Sequence, residues 1–485
     1  MSEKFALMPN GKQKIIKYVP PDGGWGWLVL TGTALSNIFN QSMLSLFSLL
    51  YGDALEAMGH KTQGAAVVLS TMLFTANFGG PIAGALVKMS SPRMVALAGA
   101  CSCTLGIFLS GFSSNIVHLI LSYGVLLGLG LGFIQNSSFV AINSYFKLRK
   151  SRAVGLANVG TGVGQTLMPH LVRYLLENYG FRGACLILSS LSLHGIAGTL
   201  LIDPVERHLK KVEIEVEVDE KLKLLDEKQR NTPNGISELK RSDIQKKPNI
   251  TTNGRTVNNT APAPQENSWL KKLYHLFDIS LLSSPRFLNI IIGTALSVTS
   301  IQNFSMIYPF FLQKVALLDK QQTATCMSSI AAADIAGRLI LPTFQDKYKI
   351  KARWMLIMTS IWLIITRQIL AYQTDMIVIM AMSSLYGFGR SMIVVARNIA
   401  ISENCNPEQV PAAVGLGMLT MGIIVPPAGY FLGWIRDITS SYILCITAQN
   451  ILLVVLLITW VPDMLYVWLH EKRENKKDIS KLQLP

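Results

Sequence analysis

An acid and a base, Asp334 and Arg338, stand four residues apart inside the long apolar segment 321–344. On a helix, this spacing places both side chains on one face, within reach of each other. A charge at the centre of a bilayer costs roughly 2.5–3.5 kcal/mol on insertion scales, so such groups face protein or a water-filled path. The pair therefore predicts a substrate or ion pathway; the alternative is a mutually satisfied pair that only holds helices together.

The composition is typical of a membrane protein with many spans. Of the 485 residues, 50% are hydrophobic and 15% are charged, whereas about a quarter of residues are charged in soluble domains. The net charge of +15 comes from the tails and alternate loops, as the positive-inside rule predicts, and not from one stripe that would bind nucleic acid. A lipid bilayer is therefore the predicted surrounding, and nucleic acid is not an expected partner.

No motif in the sequence indicates catalysis. The six cysteines show no metal-ligand spacing. The chain also lacks a phosphate-binding loop, a metal constellation and a nucleophile triad. We therefore predict a protein that is not an enzyme and that has no cofactor and no metal site.

Long apolar segments predict an all-α membrane protein with twelve transmembrane helices in two six-helix halves. Each segment has about 20 residues or more, enough to cross roughly 30 Å of hydrocarbon. The predicted spans are 26–50, 64–89, 94–112, 116–142, 153–176 and 181–202 in the first half, and 287–312, 321–344, 354–371, 376–401, 412–435 and 442–461 in the second. Basic residues after the fourth and eighth spans predict that both termini are cytoplasmic.

This pattern divides the chain into five parts. Residues 1–25 are a cytoplasmic tail and helix start, 26–202 the N-terminal half, 203–286 a largely disordered cytoplasmic linker, 287–461 the C-terminal half, and 462–485 a basic cytoplasmic tail. The linker mixes acidic and basic runs with Asn, Thr and Pro and lacks apolar periodicity, which is typical of disorder. The first apolar run is long enough to span, so no cleaved signal peptide is predicted.

The two halves share an internal repeat. The tetrapeptide Ala-Val-Gly-Leu opens the fifth predicted span at 153–156 and lies at the start of the eleventh at 413–416. Two parallel six-helix halves joined by a linker resemble the major facilitator architecture, which binds its substrate near the midplane between the halves. Glycines in these spans either allow close helix packing or act as bend points for rocking between two states, and both explanations stay open.

Two further motifs extend the resemblance to one branch of that superfamily. The first is Asp22, Gly23, Gly24, Trp25, Gly26 and Trp27; the second is the stretch 145–157, which includes Lys147, Arg149, Arg152 and Gly155. Together with Asp334 and Arg338, they resemble the signatures of the monocarboxylate transporter family. The resemblance implies a plasma-membrane carrier of small organic anions with one carboxylate, in many members together with a proton. Some members need a single-span immunoglobulin-like chaperone, and for this chain only the resemblance suggests such a partner.

Arg338 is the predicted anion contact. Its guanidinium keeps its charge and can bind a carboxylate through two hydrogen bonds, while Asp334 would neutralise it in the empty site and release it on protonation. Proton-coupled members carry a lysine deep in the first span, where an ungapped count places Ser45, and no lysine lies between Trp27 and His60. Proton coupling thus stays open. The alternatives are a proton-independent facilitator of larger or aromatic carboxylates or amino acids, and a transporter-like sensor or scaffold without flux.

Several other polar residues are secondary candidates for the pathway or its gate. Arg390 is an intramembrane charge that would serve as a second anion contact in place of the absent lysine. Asn40 and Gln41 would line the pathway as neutral groups. Arg338, Asp346 and Lys347 resemble the helix-clamping loop of major facilitators, and Lys347 is the predicted conformational latch.

The remaining intramembrane polar side chains have structural interpretations. Arg367 is predicted to snorkel or to pair with Asp375, which follows it near the outer end of the ninth span. His170 and His194 titrate near neutral pH in water, but histidines inside spans are more often hydrogen-bonded packing residues. None of these residues is needed for the predicted pathway.

Overall fold

The computed structural model describes residues 6–7, 12–59, 62–217, 272 and 274–482. The chain divides into two compact units. The smaller unit combines Met1–Pro20 with Leu209–Lys272, and the larger combines Pro21–His208 with Leu273–Pro485.

The smaller unit contains an antiparallel sheet of three strands in the order β1-β2-β3. The strands are β1 (Ala6–Leu7), β2 (Lys12–Val19) and β3 (Lys210–Glu217). The register sets Lys14 opposite Glu215 and Ile15 opposite Ile214. The predicted linker contains β3, in which Val and Ile residues alternate with charged ones, which is the period of a strand. Residues 218–271 of the predicted linker lie outside the described residues.

The described part of the larger unit is helical. Its α-helices in the first half are α1 (Trp25–Ser36), α2 (Met43–Ala57), α3 (Thr62–Met89), α4 (Pro92–Ser110), α5 (Ile116–Leu119), α6 (Gly128–Tyr145) and α7 (Lys150–Leu200). Those of the second half are α8 (Pro285–Lys314), α9 (Lys320–Tyr348), α10 (Ala352–Leu370), α11 (Met376–Ser402), α12 (Val410–Thr439) and α13 (Tyr442–Leu482). The π-helical turns Asn37–Gln41 and Ile120–Leu127 join α1 to α2 and α5 to α6, and the 3-10 turns are Val205–Arg207, Ile279–Ser283 and Pro407–Gln409.

Among the described residues, nine helical segments are long and apolar enough to cross a membrane. One of them, Lys150–Leu200, has 51 residues, and a straight helix of that length would measure about 77 Å. Gly180 interrupts it with a φ of 66° and a ψ of −177°, a conformation that glycine adopts at little cost. The predicted fifth and sixth spans therefore meet at Gly180.

Several predicted boundaries move. The first helix begins at Trp25 instead of residue 26, and α8 begins at Pro285, where the Ser284 hydroxyl accepts the N–H of Phe287 and caps the helix. The predicted tail 462–485 is helical as far as Leu482. It continues α13 because its Leu, Glu, Lys and Arg residues favour helix and no glycine interrupts them.

Glycine contacts join the two halves at one end of the larger unit. This end carries Lys147, Arg149, Arg152 and Lys347, and we call it the basic end. A Cβ on Gly155 of α7 would stand 2.5 Å from the Arg338 carbonyl of α9, and one on Gly415 of α12 would stand 2.6 Å from the Gly80 carbonyl of α3. Each of the two repeated tetrapeptides thus contains a glycine at which a helix packs closely against a helix of the opposite half.

Gly415→Ala is expected to destabilise the contact between α12 and α3, because the added methyl cannot fit against the Gly80 carbonyl. Gly433→Ala in the same helix is the matched control, since nothing lies within 4 Å of a Cβ there. Both substitutions raise helix propensity by about 1 kcal/mol. The difference between the melting midpoints of the two variants therefore reports the contact alone. We expect a lower melting midpoint for Gly415→Ala in detergent, measured by tryptophan fluorescence; equal midpoints would contradict the close approach.

Candidate functional site

Asp334 and Arg338 lie in the middle of α9 and form a buried ion pair. The Arg338 Nη2 to Asp334 Oδ2 distance is 2.6 Å, and the side chains are 3% and 6% exposed for Arg338 and Asp334. The helix begins at a capping box in which Asp319 and Gln322 exchange hydrogen bonds with each other's backbone. The spacing of four residues therefore produces the contact that the sequence predicts.

Arg338 also contacts the opposite half. Its Nη1 donates to the Asn158 carbonyl of α7 over 2.6 Å. Gly162, one turn further along α7, leaves the space beside Ile335 and Arg338, because a Cβ there would stand 2.9 Å from Ile335 Cγ1. Two of the three nitrogens of Arg338 are thus occupied. The role of Asn158 could not be predicted from its side chain, because it contributes a backbone carbonyl.

Arg390 of α11 is the second cation at Asp334. Its Nε lies 3.6 Å from Asp334 Oδ1, and its side chain is 25% exposed. The approach depends on Gly387, where α11 runs directly against the Ile330 backbone of α9 and leaves no room for a Cβ. Asp334 Oδ1 is buried and accepts no hydrogen bond from the described residues.

This cluster carries two positive charges and one negative charge. A net positive charge inside a helical bundle is costly in a low dielectric and attracts an anion. Arg390 is far more exposed than Arg338 and is the cation that an incoming anion reaches first. The arrangement can therefore bind a single carboxylate through charge-assisted hydrogen bonds.

Two more arginines lie close to this cluster. Arg397 Nη1 is 3.7 Å from the Met421 sulfur, and its buried Nε has no hydrogen-bond partner within the described ranges. Arg367 is completely buried and donates to the Ser300 hydroxyl at 2.6 Å and to the Tyr386 hydroxyl at 3.4 Å. Together they add positive charge, and neither forms an ion pair with a carboxylate among the described residues.

The predicted pair of Arg367 with Asp375 was wrong. Asp375 caps α11 by accepting the N–H groups of Ile377 and Val378. Arg367 instead lies over the rings of Phe304 and Tyr386, at 4.8 Å and 5.0 Å from their centroids. Aromatic faces stabilise a desolvated guanidinium, so this arginine is held inside its own half and does not snorkel.

The neutral candidates of the first span lie at and just after its π-helical turn. Asn40 is fully buried, and its Oδ1 accepts the Ser192 hydroxyl of α7 at 2.7 Å. Gln41 donates to the Leu131 carbonyl of α6 over 3.2 Å. These bonds join helices of the N-terminal half. Ser45 lies in α2, and its side chain is outside the described residues.

The two histidines considered from the sequence are both exposed on α7. His194 has its ring 5.1 Å from that of Phe39, and its Nδ1 is 3.0 Å from the Leu191 carbonyl. His170 lies near the end of the first part of α7. Neither residue belongs to the Asp334 cluster.

The N-terminus of α7 is bound by two carboxylates. Asp22 Oδ1 accepts the N–H groups of Lys147, Leu148 and Arg149 at 2.7, 2.8 and 3.4 Å. Asp346, at the end of α9, accepts those of Ser151 at 3.1 Å and Arg152 at 2.8 Å. Carboxylates are favourable here because these N–H groups lack helical partners and the helix dipole is positive at this end.

The Asp346 contact links the two halves at the basic end. The Lys347 ammonium lies over the Tyr348 ring, 5.7 Å from its centroid. The link that the sequence analysis assigned to Lys347 is therefore made by the neighbouring carboxylate, since the partner is a set of N–H donors and an ammonium cannot accept them.

The first motif packs against the connection between α6 and α7 and against the residues that follow the end of α7. Gly24 precedes α1 with a φ of 57°, which glycine adopts easily. The Trp25 indole donates to the Leu201 carbonyl at 3.3 Å and stacks on His208, and the Trp27 ring meets Phe146 edge-on. A Cβ on Gly23 would stand 3.5 Å from Trp27 Nε1, which is an ordinary contact distance. The motif therefore holds the start of α1 against the α6–α7 connection and against the residues after α7, all in the N-terminal half.

The acidic loop between α11 and α12 also has a structural role. Glu403 accepts the Ala352 N–H over 2.9 Å and so caps α10. Burial raises the pKa of Glu403, while this backbone hydrogen bond acts in the opposite direction. An acid is favoured at this position because it faces the positive end of a helix.

Comparison with known proteins identifies the family. The sequence model of the Major Facilitator Superfamily matches residues 30–429. The chain belongs to the major facilitator superfamily. Its fold is similar to that in the crystal structure of the human organic anion transporter MFSD10 (TETRAN), with a TM-score of 0.62, 14% identity, and coverage of 90% of this chain and 99% of that one.

Curated relatives of this major facilitator are monocarboxylate transporters. It is 33% identical to monocarboxylate transporter 13 of Rattus norvegicus over 186 residues, which are 38% of this chain and 44% of the relative. It is 34% identical to monocarboxylate transporter 2 of Homo sapiens over 183 residues, 38% of each chain. The matches thus span less than half the length of these relatives. The resemblance predicted from the two motifs is confirmed.

Asp346→Asn is expected to loosen the basic end, because the amide loses the charge that favours two N–H donors and the helix dipole. Cys405 reports the change, since burial raises its pKa to about 11 and suppresses the reactive thiolate. In a Cys101→Ser background, which removes the exposed thiol, we expect faster maleimide labelling of Cys405.

Asp437→Asn is the control for this change, because Asp437 is exposed and pairs only with the adjacent Arg436 in the described contacts. It removes the same charge without touching α7. Equal labelling rates in the two variants would show that the Asp346 contact does not hold the halves together.

Proposed function

We propose that this protein carries monocarboxylates across the plasma membrane by alternating access. The observation that supports this most directly is the cluster at mid-helix, where Arg338 and Arg390 share the single carboxylate of Asp334. A site with one excess positive charge suits a substrate with one negative charge. The similarity to monocarboxylate transporters supports the same substrate class.

The two arginines have different roles in this proposal. Arg390 is the more exposed and receives the substrate carboxylate first. Arg338 is held by Asp334 and by the Asn158 carbonyl of the other half. When the halves separate at the basic end, Arg338 loses Asn158 and gains a free donor for the carboxylate. The substrate then passes from Arg390 to Arg338 as the access changes.

The contacts between halves support one closed side. Glycines and Asp346 join the halves at the basic end, and the proposal has the halves apart at the opposite end. With the basic end in the cytoplasm, as the positive-inside rule predicts, this arrangement faces outward.

The proposed topology has twelve crossings with both termini in the cytoplasm. The break at Gly180 divides the longest helix into two crossings. The pairing of β2 with β3 supports this topology, since two paired strands lie on the same side of a membrane and need an even number of crossings between them. Six crossings in the first half satisfy this condition.

Asp334 is the proton site in the proposal, since its Oδ1 is buried and no group in the described part of the chain donates a hydrogen bond to it. Protonation would release both arginines to the substrate. The second candidate function is a proton-independent facilitator of larger or aromatic carboxylates, and the absence of a lysine between Trp27 and His60 favours it.

Arg390→Gln is expected to raise the half-saturation concentration for labelled pyruvate by about 10- to 100-fold, which corresponds to losing a charge-assisted hydrogen bond of roughly 1.5–3 kcal/mol. Arg338→Gln is expected to lower the maximal rate more than the affinity, because Arg338 acts when the halves separate. Uptake is measured at matched surface expression. Arg173→Gln, which removes an exposed pair with Glu177, is the control, and an unchanged half-saturation concentration in Arg390→Gln would reject its role.

Uptake of pyruvate with intracellular pH recorded in the same cells separates the two candidate functions. If Asp334 carries a proton, uptake acidifies the wild-type cell, and Asp334→Asn retains pyruvate exchange but loses the acidification. Uptake without acidification in the wild type would support the facilitator. Surface-expressed protein without pyruvate uptake would direct the search to aromatic and zwitterionic substrates.

A further inference from the structure

Arg397 of α11 lies between the Asp334 cluster and the closed basic end. A Cβ on Gly337 of α9 would stand 2.3 Å from Ser391 Oγ of α11, so these two residues share one level. Both helices run toward the basic end, where their last turns contact the start of α7. Arg397 follows Ser391 by six residues, about 9 Å at 1.5 Å per residue, and Asp346 follows Gly337 by nine, about 14 Å. Arg397 therefore begins at a level between the cluster and the contact that closes this end.

The Arg397 side chain lies between the two places where the halves meet. Long side chains on a helix point back toward its N-terminus, so the guanidinium reaches toward Arg338, whose charge acts on it. Its Nη1 lies 3.7 Å from the Met421 sulfur of α12. The next residue, Gly422, packs on the opposite half, since a Cβ there would stand 2.9 Å from Asn77 Cβ of α3. The contacts of Arg397 thus extend from the α7–α9 interface to the α3–α12 interface.

Arg397 has no compensating charge in the described part of the chain. Its side chain is half-buried, and its buried Nε has no acceptor among the described residues. The Met421 thioether is a weak acceptor, and the neighbouring charge of Arg338 is also positive. Asp334 already serves two other arginines. A guanidinium in such surroundings is costly in the empty protein and gains from an incoming carboxylate.

We propose that Arg397 is the substrate contact on the cytoplasmic side, which receives the carboxylate from Arg338 and binds it until release. This inference rests on the proposed function and adds one step to it. Opening the basic end separates α9 from α7 and α12 from α3, and the space between these pairs is where Arg397 lies. Arg390, Arg338 and Arg397 then bind the anion in turn from the outer side to the cytoplasm.

The first test measures the two faces separately. Uptake of labelled pyruvate into cells gives the half-saturation concentration at the outer face, and uptake into inside-out membrane vesicles gives that at the cytoplasmic face. Arg397→Met keeps the length of the side chain and removes its charge. We expect the ratio of the cytoplasmic to the outer value to rise about tenfold, because a charge-assisted hydrogen bond is lost on one side. Arg390→Gln is expected to lower the same ratio.

Arg173→Met is the matched control, because it removes a positive charge from an exposed pair with Glu177. Its ratio is expected to equal that of the wild type. An unchanged ratio in Arg397→Met at matched expression would overturn the inference.

The melting midpoint of the purified protein without substrate gives a readout that does not depend on transport. Removing a charge that lacks a partner relieves the empty protein, so we expect Arg397→Met to raise this midpoint and to reduce the further rise produced by pyruvate. Arg353→Met is the reference for a structural arginine, since Arg353 pairs with Asp463 at 2.5 Å, and loss of such a pair is destabilising. A midpoint of Arg397→Met that falls as in Arg353→Met would overturn the inference.

These outcomes separate the inference from the proposed function. Wild-type protein without pyruvate flux at either face would reject both together. Wild-type flux combined with an unchanged ratio, or with a lower midpoint in Arg397→Met, would reject the role of Arg397 alone.

Discussion

The cost of placing charge inside a membrane governs this structure. Arg338 and Arg390 can remain in the middle of the helical bundle because both approach Asp334. The single negative charge of that carboxylate neutralises only part of their positive charge. The remaining positive charge is unfavourable in the empty site and favourable once an anion arrives. The same constraint explains why Arg367 is enclosed by hydroxyl groups and aromatic rings in place of an acid.

The contact between Arg338 and the Asn158 carbonyl connects this electrostatic problem to movement. A guanidinium that is satisfied partly by the opposite half must find another acceptor when the halves separate. The Asp346 contact with α7 has the same character, since it uses N–H groups that have no other partner at a helix end. In the proposed function, Arg338 therefore takes part both in anion binding and in the contact between the halves.

Close approach of backbones makes these polar contacts possible. Gly155 and Gly415, the repeated glycines, let α7 and α12 touch the opposite half, and Gly387 lets α11 approach α9 closely enough for Arg390 to reach Asp334. Any side chain at these positions would separate the helices by more than a polar contact tolerates. Packing is thus sufficient to explain the glycines that the sequence also allowed as bend points.

The sequence by itself determined the helical membrane class, the Asp334–Arg338 pair and the family resemblance, because apolar length, i to i+4 spacing and short motifs are local properties. It could not determine that Arg390 reaches Asp334, that Asn158 binds Arg338 through its backbone, or that Asp346 and not Lys347 joins the halves. It also missed strand β3 and the helical continuation of α13. Those features depend on which helices and strands meet, and only the tertiary structure decides that, because partners far apart in the chain leave no local pattern.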